Sequence, residues 1–335
     1  MKKINLNTLK EIISNNNQFI ILTHQNPDGD TIGSSIALSC LLKKLNKKTY
    51  ILCPDKIPKN LLWWKETKEI IVFDDEKNIK EIKTIFQLNL PLFCIDFNTT
   101  KQIKKFSEYF SKHKGLKILI DHHPNPENIF NFAICNTNVS STAELLYTII
   151  KKINLKNLID KNFATGIYIG ILWDTNSFSV NAYRKKTFQV TAELFNYGID
   201  SEKIYNNIFC ANSYNRLKFI GFLLHNRLQL IENYSTAYMW FTKEEFKKFD
   251  LQPGDTEFLV NIPLSIKNVN LSVLFYEKED YIKISLRSKG KINVNRIARK
   301  YFNGGGHKNA AGGEERQLSL SETINKFLNL LEKIF

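Results

Sequence analysis

No apolar run in this 335-residue chain approaches the ~20 residues that a bilayer-spanning helix needs, so no membrane protein is expected. The opening Met-Lys-Lys-Ile-Asn-Leu-Asn puts polar residues where a signal peptide requires its apolar stretch, and the expected location is the cytoplasm. Cysteine is sparse, odd in number and widely spaced. Without a CxxC pair, a zinc-thiolate site is not expected. Cys40, Cys53, Cys94, Cys135 and Cys210, mostly inside apolar segments, read as structural thiols of a reducing compartment. Internal repeats and long low-complexity tracts are also missing. Acidic residues are in deficit, 33 against 47 lysines and arginines, for a net charge of +14. A basic chain attracts polyanions such as nucleic acid. Most of the excess, however, is lysine scattered through a sequence rich in asparagine and isoleucine, as biased codon usage would give. The charge is therefore weak support for an anionic substrate.

What is present is an ordinary folded composition, with 43% hydrophobic residues. The length suits two domains, because single cores stop growing at about 250–300 residues. In the first half, short apolar runs alternate with helical spacers. Phe19–Leu22, Thr49–Leu52, Pro91–Ile95 and Leu116–Ile120 read as buried strands. Ile32, Ile36 and Cys40 recur at four-residue steps, and Ala164, Ile167, Tyr168, Ile171 and Leu172 form a second helical stripe. Such βαβ alternation predicts a largely parallel sheet flanked by helices. From Ser201 to about Leu230 the chain reads as a helical, Asn-rich connector with no Pro/Gly linker. Strands follow at Thr236–Phe241, Val269–Tyr276 and Tyr281–Leu286, the last two as a hairpin across Glu277–Asp280. Asn295–Phe302 reads as a helix ending at Gly304-Gly305-Gly306-His307, and Ser321 as the cap of a final amphipathic helix. The fold class is α/β, with a catalytic domain over residues 1–200, the connector over 201–230, and a smaller α/β domain with a mixed sheet over 231–335. The active site is expected in the cleft between the domains.

Four ligand-rich places fall at the ends of these elements: Thr23-His24-Gln25-Asn26-Pro27-Asp28-Gly29-Asp30, Asp96, Asp121-His122-His123, and Asp174. A parallel sheet delivers side chains to the crevice at the carboxyl ends of its strands. Pro27 and Gly29 permit sharp turning, so His24, Asp28 and Asp30 can project from one tight loop. With one ligand each from Asp96, His122 and Asp174, the set holds enough nitrogen and oxygen for two divalent cations. That mix suits Mn²⁺, with Mg²⁺ or Co²⁺ as alternatives, better than calcium or thiolate-bound zinc. Two ions ~3.5–4 Å apart activate water against a phosphoester. Singly, each feature has a plainer reading. An Asp after a strand is often a helix cap or turn former, as Asp30 could be before Thr31-Ile32. A His-His pair fits core packing or a surface as well as ligation. Four of them converging at element ends favour a metal centre. His113 and His225 are isolated and read as structural.

His24-x-x-Pro27-Asp28-x-Asp30-x-x-Gly33-Ser34, Asp96, Asp121-His122-His123 and Asp174-Thr175 resemble, in order, the four motifs of the DHH phosphoesterase superfamily. Arg287-Ser288 and Gly304-Gly305-Gly306-His307-x-x-Ala310-Ala311-Gly312 resemble its associated substrate-binding domain. The likeness covers nearly the whole chain and is nearest to the stand-alone oligoribonucleases that also act on 3'-phosphoadenosine 5'-phosphate. It implies that His24 and Asp28 bind one ion and that Asp30, His122 and Asp174 bind the other, with Asp96 bridging. His123 would lie beside the scissile phosphate as a donor or general acid, with Asp121 orienting an imidazole. Gly33 and Ser34 need only a close-packing role. Arg287, Gly304, Gly305, Gly306 and His307 would grip the nonreacting end of the substrate, since arginine and glycine amides both suit phosphate. Arg299 and Lys308 read as solvated cations.

The expected substrates are short RNA oligonucleotides, linear dinucleotides and nucleoside bisphosphates, and a second copy of the chain is a candidate partner. Asn176 departs from the usual glycine after Asp174-Thr175, although asparagine tolerates left-handed backbone. Ser177–Val180 also lacks a basic residue common in related sequences. Both departures bear on substrate preference, not on metal binding. Rival readings are a cyclic-dinucleotide phosphodiesterase, a long-strand exonuclease (which should carry extra nucleic-acid-binding domains), a manganese pyrophosphatase (which should lack the glycine-His loop) and a catalytically inactive nucleotide sensor.

Overall fold

The computed structural model describes residues 2–3, 5–73, 76–180, 185–252 and 254–335. It divides into two units, Met1–Cys210 and Ala211–Phe335. In chain order the first contains β1 (Lys2–Lys3), α1 (Leu6–Asn15), β2 (Gln18–Leu22), α2 (Gly29–Lys44), β3 (Lys48–Cys53), β4 (Ile70–Val72), α3 (Glu76–Gln87), β5 (Leu92–Ile95), α4 (Ser107–Lys112), β6 (Lys117–Asp121), β7 (Phe132–Cys135), α5 (Thr142–Lys152), α6 (Lys161–Asp174), α7 (Lys185–Phe195) and α8 (Ser201–Phe209). The strands form one sheet in the order β1-β7-β6-β5-β2-β3-β4, and the described pairings are all parallel. A sheet covered on both faces explains why β2 and β5 read as unbroken apolar runs. Over one face, Ile82, Ile85 and Phe86 of α3 and Phe110 of α4 join Phe97, Phe106 and Phe130 in an aromatic layer. His113 is buried in that layer, edge-on to Phe86, with Nε2 2.9 Å from the Leu90 carbonyl, a structural histidine as expected.

Helices α2 and α5 also pack against the sheet, and α6 packs in turn on α2 and α5. Helices α2 and α6 are buried nearly all round, as expected of helices inside a domain. Their crossing depends on missing side chains. A Cβ on Gly33 would stand 2.3 Å from the Gly166 carbonyl oxygen, and one on Gly166 would stand 2.4 Å from that of Gly33. The close-packing role read for Gly33 is thus a backbone-to-backbone contact.

The second unit contains α9 (Tyr214–Phe222), β8 (Gln229–Ile231), β9 (Thr236–Phe241), α10 (Lys243–Lys248), β10 (Leu271–Glu277), β11 (Ile282–Ser288), α11 (Val294–Tyr301), β12 (Gly305–Gly306), β13 (Ala310–Glu315) and α12 (Leu320–Ile334). Its sheet runs β12-β13-β11-β10-β9-β8 and is mixed: β9 and β10 are parallel, the other neighbours antiparallel. The expected hairpin is β10–β11. Alternation along β11 sends Ile282, Ile284 and Leu286 into a core with α11 and α12, while Leu274 and Tyr276 of β10 face a second core with Phe219 and Leu223. One expectation is corrected here. Ser319, not Ser321, caps α12: its hydroxyl accepts from Glu322 N–H while the Glu322 carboxylate reaches back to Ser319 N–H. The Ser-x-x-Glu spacing closes that reciprocal box, which Ser321 cannot. Among the described residues no helix is long and apolar enough to cross a membrane. The five cysteines are free, and Cys210 alone of them is exposed.

Candidate metal centre

The strand order reverses between β2 and β5. The chain proceeds outward from β2 through β3 and β4, then returns to β5 and continues through β6 and β7 on the other side. Open α/β sheets bind ligands beyond the carboxyl ends of the strands at such a point. The register sets what stands there. Leu22 pairs with Cys94, and Cys94 with Leu119, so two further steps bring His24, Asp96 and Asp121 level across three adjacent strands. Asp96 is fixed in left-handed backbone (φ 64) with its N–H on the Ile120 carbonyl.

The helices supply the remaining groups. Asp28 is the N-cap of α2, its Oδ1 accepting from Asp30 and Thr31 N–H at 2.9 and 3.1 Å. The capping role considered for Asp30 therefore belongs to Asp28. Asp30 is fully buried in the first turn and points at the start of α5. There its Oδ2 accepts from Thr142 N–H at 2.6 Å and its Oδ1 from Ala143 N–H at 2.9 Å. Asp174 is the last residue of α6. A hydrogen bond of 2.8 Å between His24 Nδ1 and the Gln25 carbonyl leaves Nε2 with its lone pair. That Nε2 lies 3.5 Å from Asp96 Oδ2 and 3.9 Å from Asp28 Oδ1. Across the site, His122 Nε2 is 3.1 Å from Asp174 Oδ2, 3.6 Å from Asp96 Oδ1 and 3.8 Å from Asp30 Oδ2. His123 donates from Nδ1 to Asp121 Oδ1 at 2.7 Å, the orienting contact expected of Asp121.

Among the groups of possible ligands are His24 with Asp28 and Asp96, Asp30 with His122 and Asp174, and Asp96 with Asp121 and His123. In each, one ligand atom per residue lies within 4.8 Å of the others. Asp96 turns one oxygen towards each of the first two groups.

Crowding and burial shift the titrating groups here in different directions. Burial, then the charge of Asp174, pushes Asp30 up to about 7. Burial and then Asp30, Asp28, Asp174 and Asp121 drive Asp96 well above the carboxylate range. Burial, then His123, pushes His122 down to about 4, leaving a neutral imidazole suited to ligation. Burial opposes the charge on His123, but Asp121, with Asp174 and Asp30, carries the imidazole to about 9. Asp174 adds its carboxylate to the negative end of a helix dipole. Several buried carboxylates facing neutral imidazole are an unfavourable arrangement that divalent cations relieve, so the clusters fit metal sites.

Comparison with known proteins agrees with this chemistry. The pattern of the DHH family, N-terminal domain, matches residues 18–171, and that of the DHHA1 domain matches residues 233–335. An exopolyphosphatase-related protein from Bacteroides fragilis has the same fold, with a TM-score of 0.91 and 36% identity over 98% of this chain and 95% of that one. The chain belongs to the DHH family of phosphoesterases. The bifunctional oligoribonuclease and PAP phosphatase NrnA of Bacillus subtilis is 28% identical over 297 residues, 88% of either protein. RecJ of Thermus thermophilus in complex with Mn²⁺ shares the fold at 12% identity, with a TM-score of 0.56 over 98% of this chain and 54% of that one.

Within the DHH domain, Thr142, Ala143 and Glu144 were not singled out from sequence. Thr142 Oγ1 donates to Asp96 Oδ1 at 2.8 Å. The only local signal was the Ser141-x-x-Glu144 spacing of a helix start.

The DHHA1 domain brings its own expected residues to one corner. Arg287 on β11 pairs with Ala310, whose carbonyl accepts from His307 N–H at 2.7 Å. Both side chains are half-buried. A Cβ on Gly304 would stand 1.9 Å from the Gly312 carbonyl oxygen, and one on Gly306, which lies at φ 143, would stand 2.5 Å from that of Ala310. Packing alone thus demands these two glycines. Around Gly305 the nearest atoms would be 3.7 Å away. Asn176 does take left-handed backbone (φ 45), as do Ser177 and Phe178 after it.

Proposed function

We propose that this DHH phosphoesterase uses two divalent cations, Mn²⁺ by preference, to cleave short oligoribonucleotides and linear dinucleotides to 5'-mononucleotides. On the same reading it removes the 3'-phosphate of 3'-phosphoadenosine 5'-phosphate. The observation that carries this is Asp96, with Oδ2 towards His24 and Oδ1 towards His122. His24, Asp28 and Asp96 hold one ion; Asp30, His122, Asp174 and Asp96 hold the other. When bound, such a pair supplies an activated water and neutralises phosphoryl charge. His123, held by Asp121 and charged at neutral pH, offers its Nε2–H to the substrate and donates the proton to the leaving oxygen. Arg287, Gly304, Gly305, Gly306 and His307 bind the nonreacting end. The 28% identity to the Bacillus protein supports the substrate class. The setting is the cytoplasm, where RNA fragments arise.

A Mn²⁺-supplemented hydrolysis panel tests this, comparing a linear RNA dinucleotide, an RNA pentamer, 3'-phosphoadenosine 5'-phosphate, a cyclic dinucleotide and inorganic polyphosphate. Turnover confined to the last two rejects the substrate reading. Undiminished turnover by Asp96→Ala rejects the metal assignment. His307→Ala is expected to raise KM severalfold with kcat little changed, and an unaltered KM removes His307 from the binding set.

A further inference from the structure

We propose that Thr142 is a positioning residue that aims the ion-facing oxygens of Asp30 and Asp96, and that the buried carboxylate of Glu144 locks the turn from which it does so. This rests on the two-metal reading. Thr142 gives its N–H to Asp30 Oδ2 and its hydroxyl to Asp96 Oδ1. Those are the oxygens that face His122 Nε2, at 3.8 and 3.6 Å. A carboxylate free to rotate about its last torsion would present either oxygen, or neither, to an ion. Thr142 gives a donor to each carboxylate, across 112 and 46 residues of sequence, while Ala143 N–H holds the other oxygen of Asp30.

The capping of α5 does not account for this hydroxyl. Ser141 already caps the helix, its Oγ accepting from Glu144 N–H at 3.1 Å. Glu144 in turn is fully buried, and its Oε2 accepts from Ser140 N–H at 3.0 Å, Ser140 Oγ at 2.7 Å and Thr187 Oγ1 of α7 at 2.7 Å. The Ser140–Thr142 turn is thereby tied to a helix outside the ligand cluster. Metal sites generally depend on such supporting donors, whose loss costs ~10–100-fold in metal affinity.

The test is Mn²⁺ titration of the metal-free protein by calorimetry, with electron paramagnetic resonance reporting whether bound ions form a coupled pair. Thr142→Val keeps the shape and the N–H but loses the hydroxyl donor. It is expected to bind Mn²⁺ about 10-fold or more weakly and to lose the coupled signal. Thr142→Ser, which keeps the donor, is expected to match the wild type. Thr142→Ala carries the same expectation as valine should the valine variant fold poorly. Glu144→Gln should weaken the second ion's binding in the same direction. Unchanged affinity in Thr142→Val or Thr142→Ala overturns the inference, as does a serine variant equally impaired. A wild-type protein that binds no Mn²⁺ overturns the two-metal reading itself, a result distinct from either.

Discussion

In the first unit, Asp30 at the start of α2 and Asp96 after β5 are buried beside further carboxylates, and donors from α5 direct both oxygens of Asp30 and Oδ1 of Asp96. At the glycine turn of the second unit, Arg287 and His307 are half-buried, and two of the three consecutive glycines are explained by backbone contacts. The first corner opposes the ionisation of its own carboxylates, a cost that a bound cation would offset. The second is comfortable without any ligand. A sequence signature can therefore record chemistry in one place and mainly steric demand in another, even where both belong to one recognised pattern.

Asp96 offers the hardest way to break that contrast. Asp96→Ala is expected to lower kcat/KM by about 10³-fold or more, at the upper end of losses for groups that meet transition-state charge. Asp96→Asn should be equally inactive yet raise the Tm of the metal-free protein by about 2–4 °C, since it removes a carboxyl whose ionisation burial and its acidic neighbours oppose, while keeping an acceptor for Thr142. A lowered Tm would show that the first corner is not strained by its carboxylates. At the second corner, Gly304→Ala drives a methyl into the Gly312 carbonyl and should cost about 3 kcal/mol by denaturant unfolding. Gly305→Ala has room, and its stability should change by less than ~0.5 kcal/mol. A rise in KM for a linear dinucleotide in Gly305→Ala, at unchanged stability, would assign the turn a binding role beyond sterics.

An ordinary ion pair outside both corners sets the scale. Burial would raise the Glu193 carboxyl, but hydrogen bonds from Lys151 and Tyr147 hold it below the ordinary 4.5. Its stabilisation is thus complete above pH 4.5 and fades as pH falls through the lower folded value. Glu193→Gln should flatten the acid side of the stability curve by less than ~1 kcal/mol, discounted for solvent screening.

Much of the first corner was legible because buried parallel strands leave continuous apolar runs, with His24, Asp96 and Asp121-His122-His123 standing directly after them. The assignment of the N-cap was not: Asp28 and Asp30 are both chemically able, and only the fold shows that Asp30 turns to α5. Thr142 and Glu144 were hidden because their partners lie far away in sequence, while Val139-Ser140-Ser141-Thr142 looks like any helix entry. Strand β13, Ala-Ala-Gly-Gly-Glu-Glu, could not be read from propensity. Its small residues serve close approach, as Gly313 does against Phe302.

The glycines between α2 and α6 reach further than packing. Gly170 faces Asp30, where an added methyl would sit 2.6 Å from Oδ1 and 2.5 Å from the Ala143 methyl, four residues before Asp174 itself. The bare Cα of Gly170 is thus part of the wall against which the Asp30 carboxylate rests. A single added carbon at Gly170 would therefore displace the Asp30 carboxylate itself, so a residue with no polar atom in its side chain helps decide where that carboxylate stands.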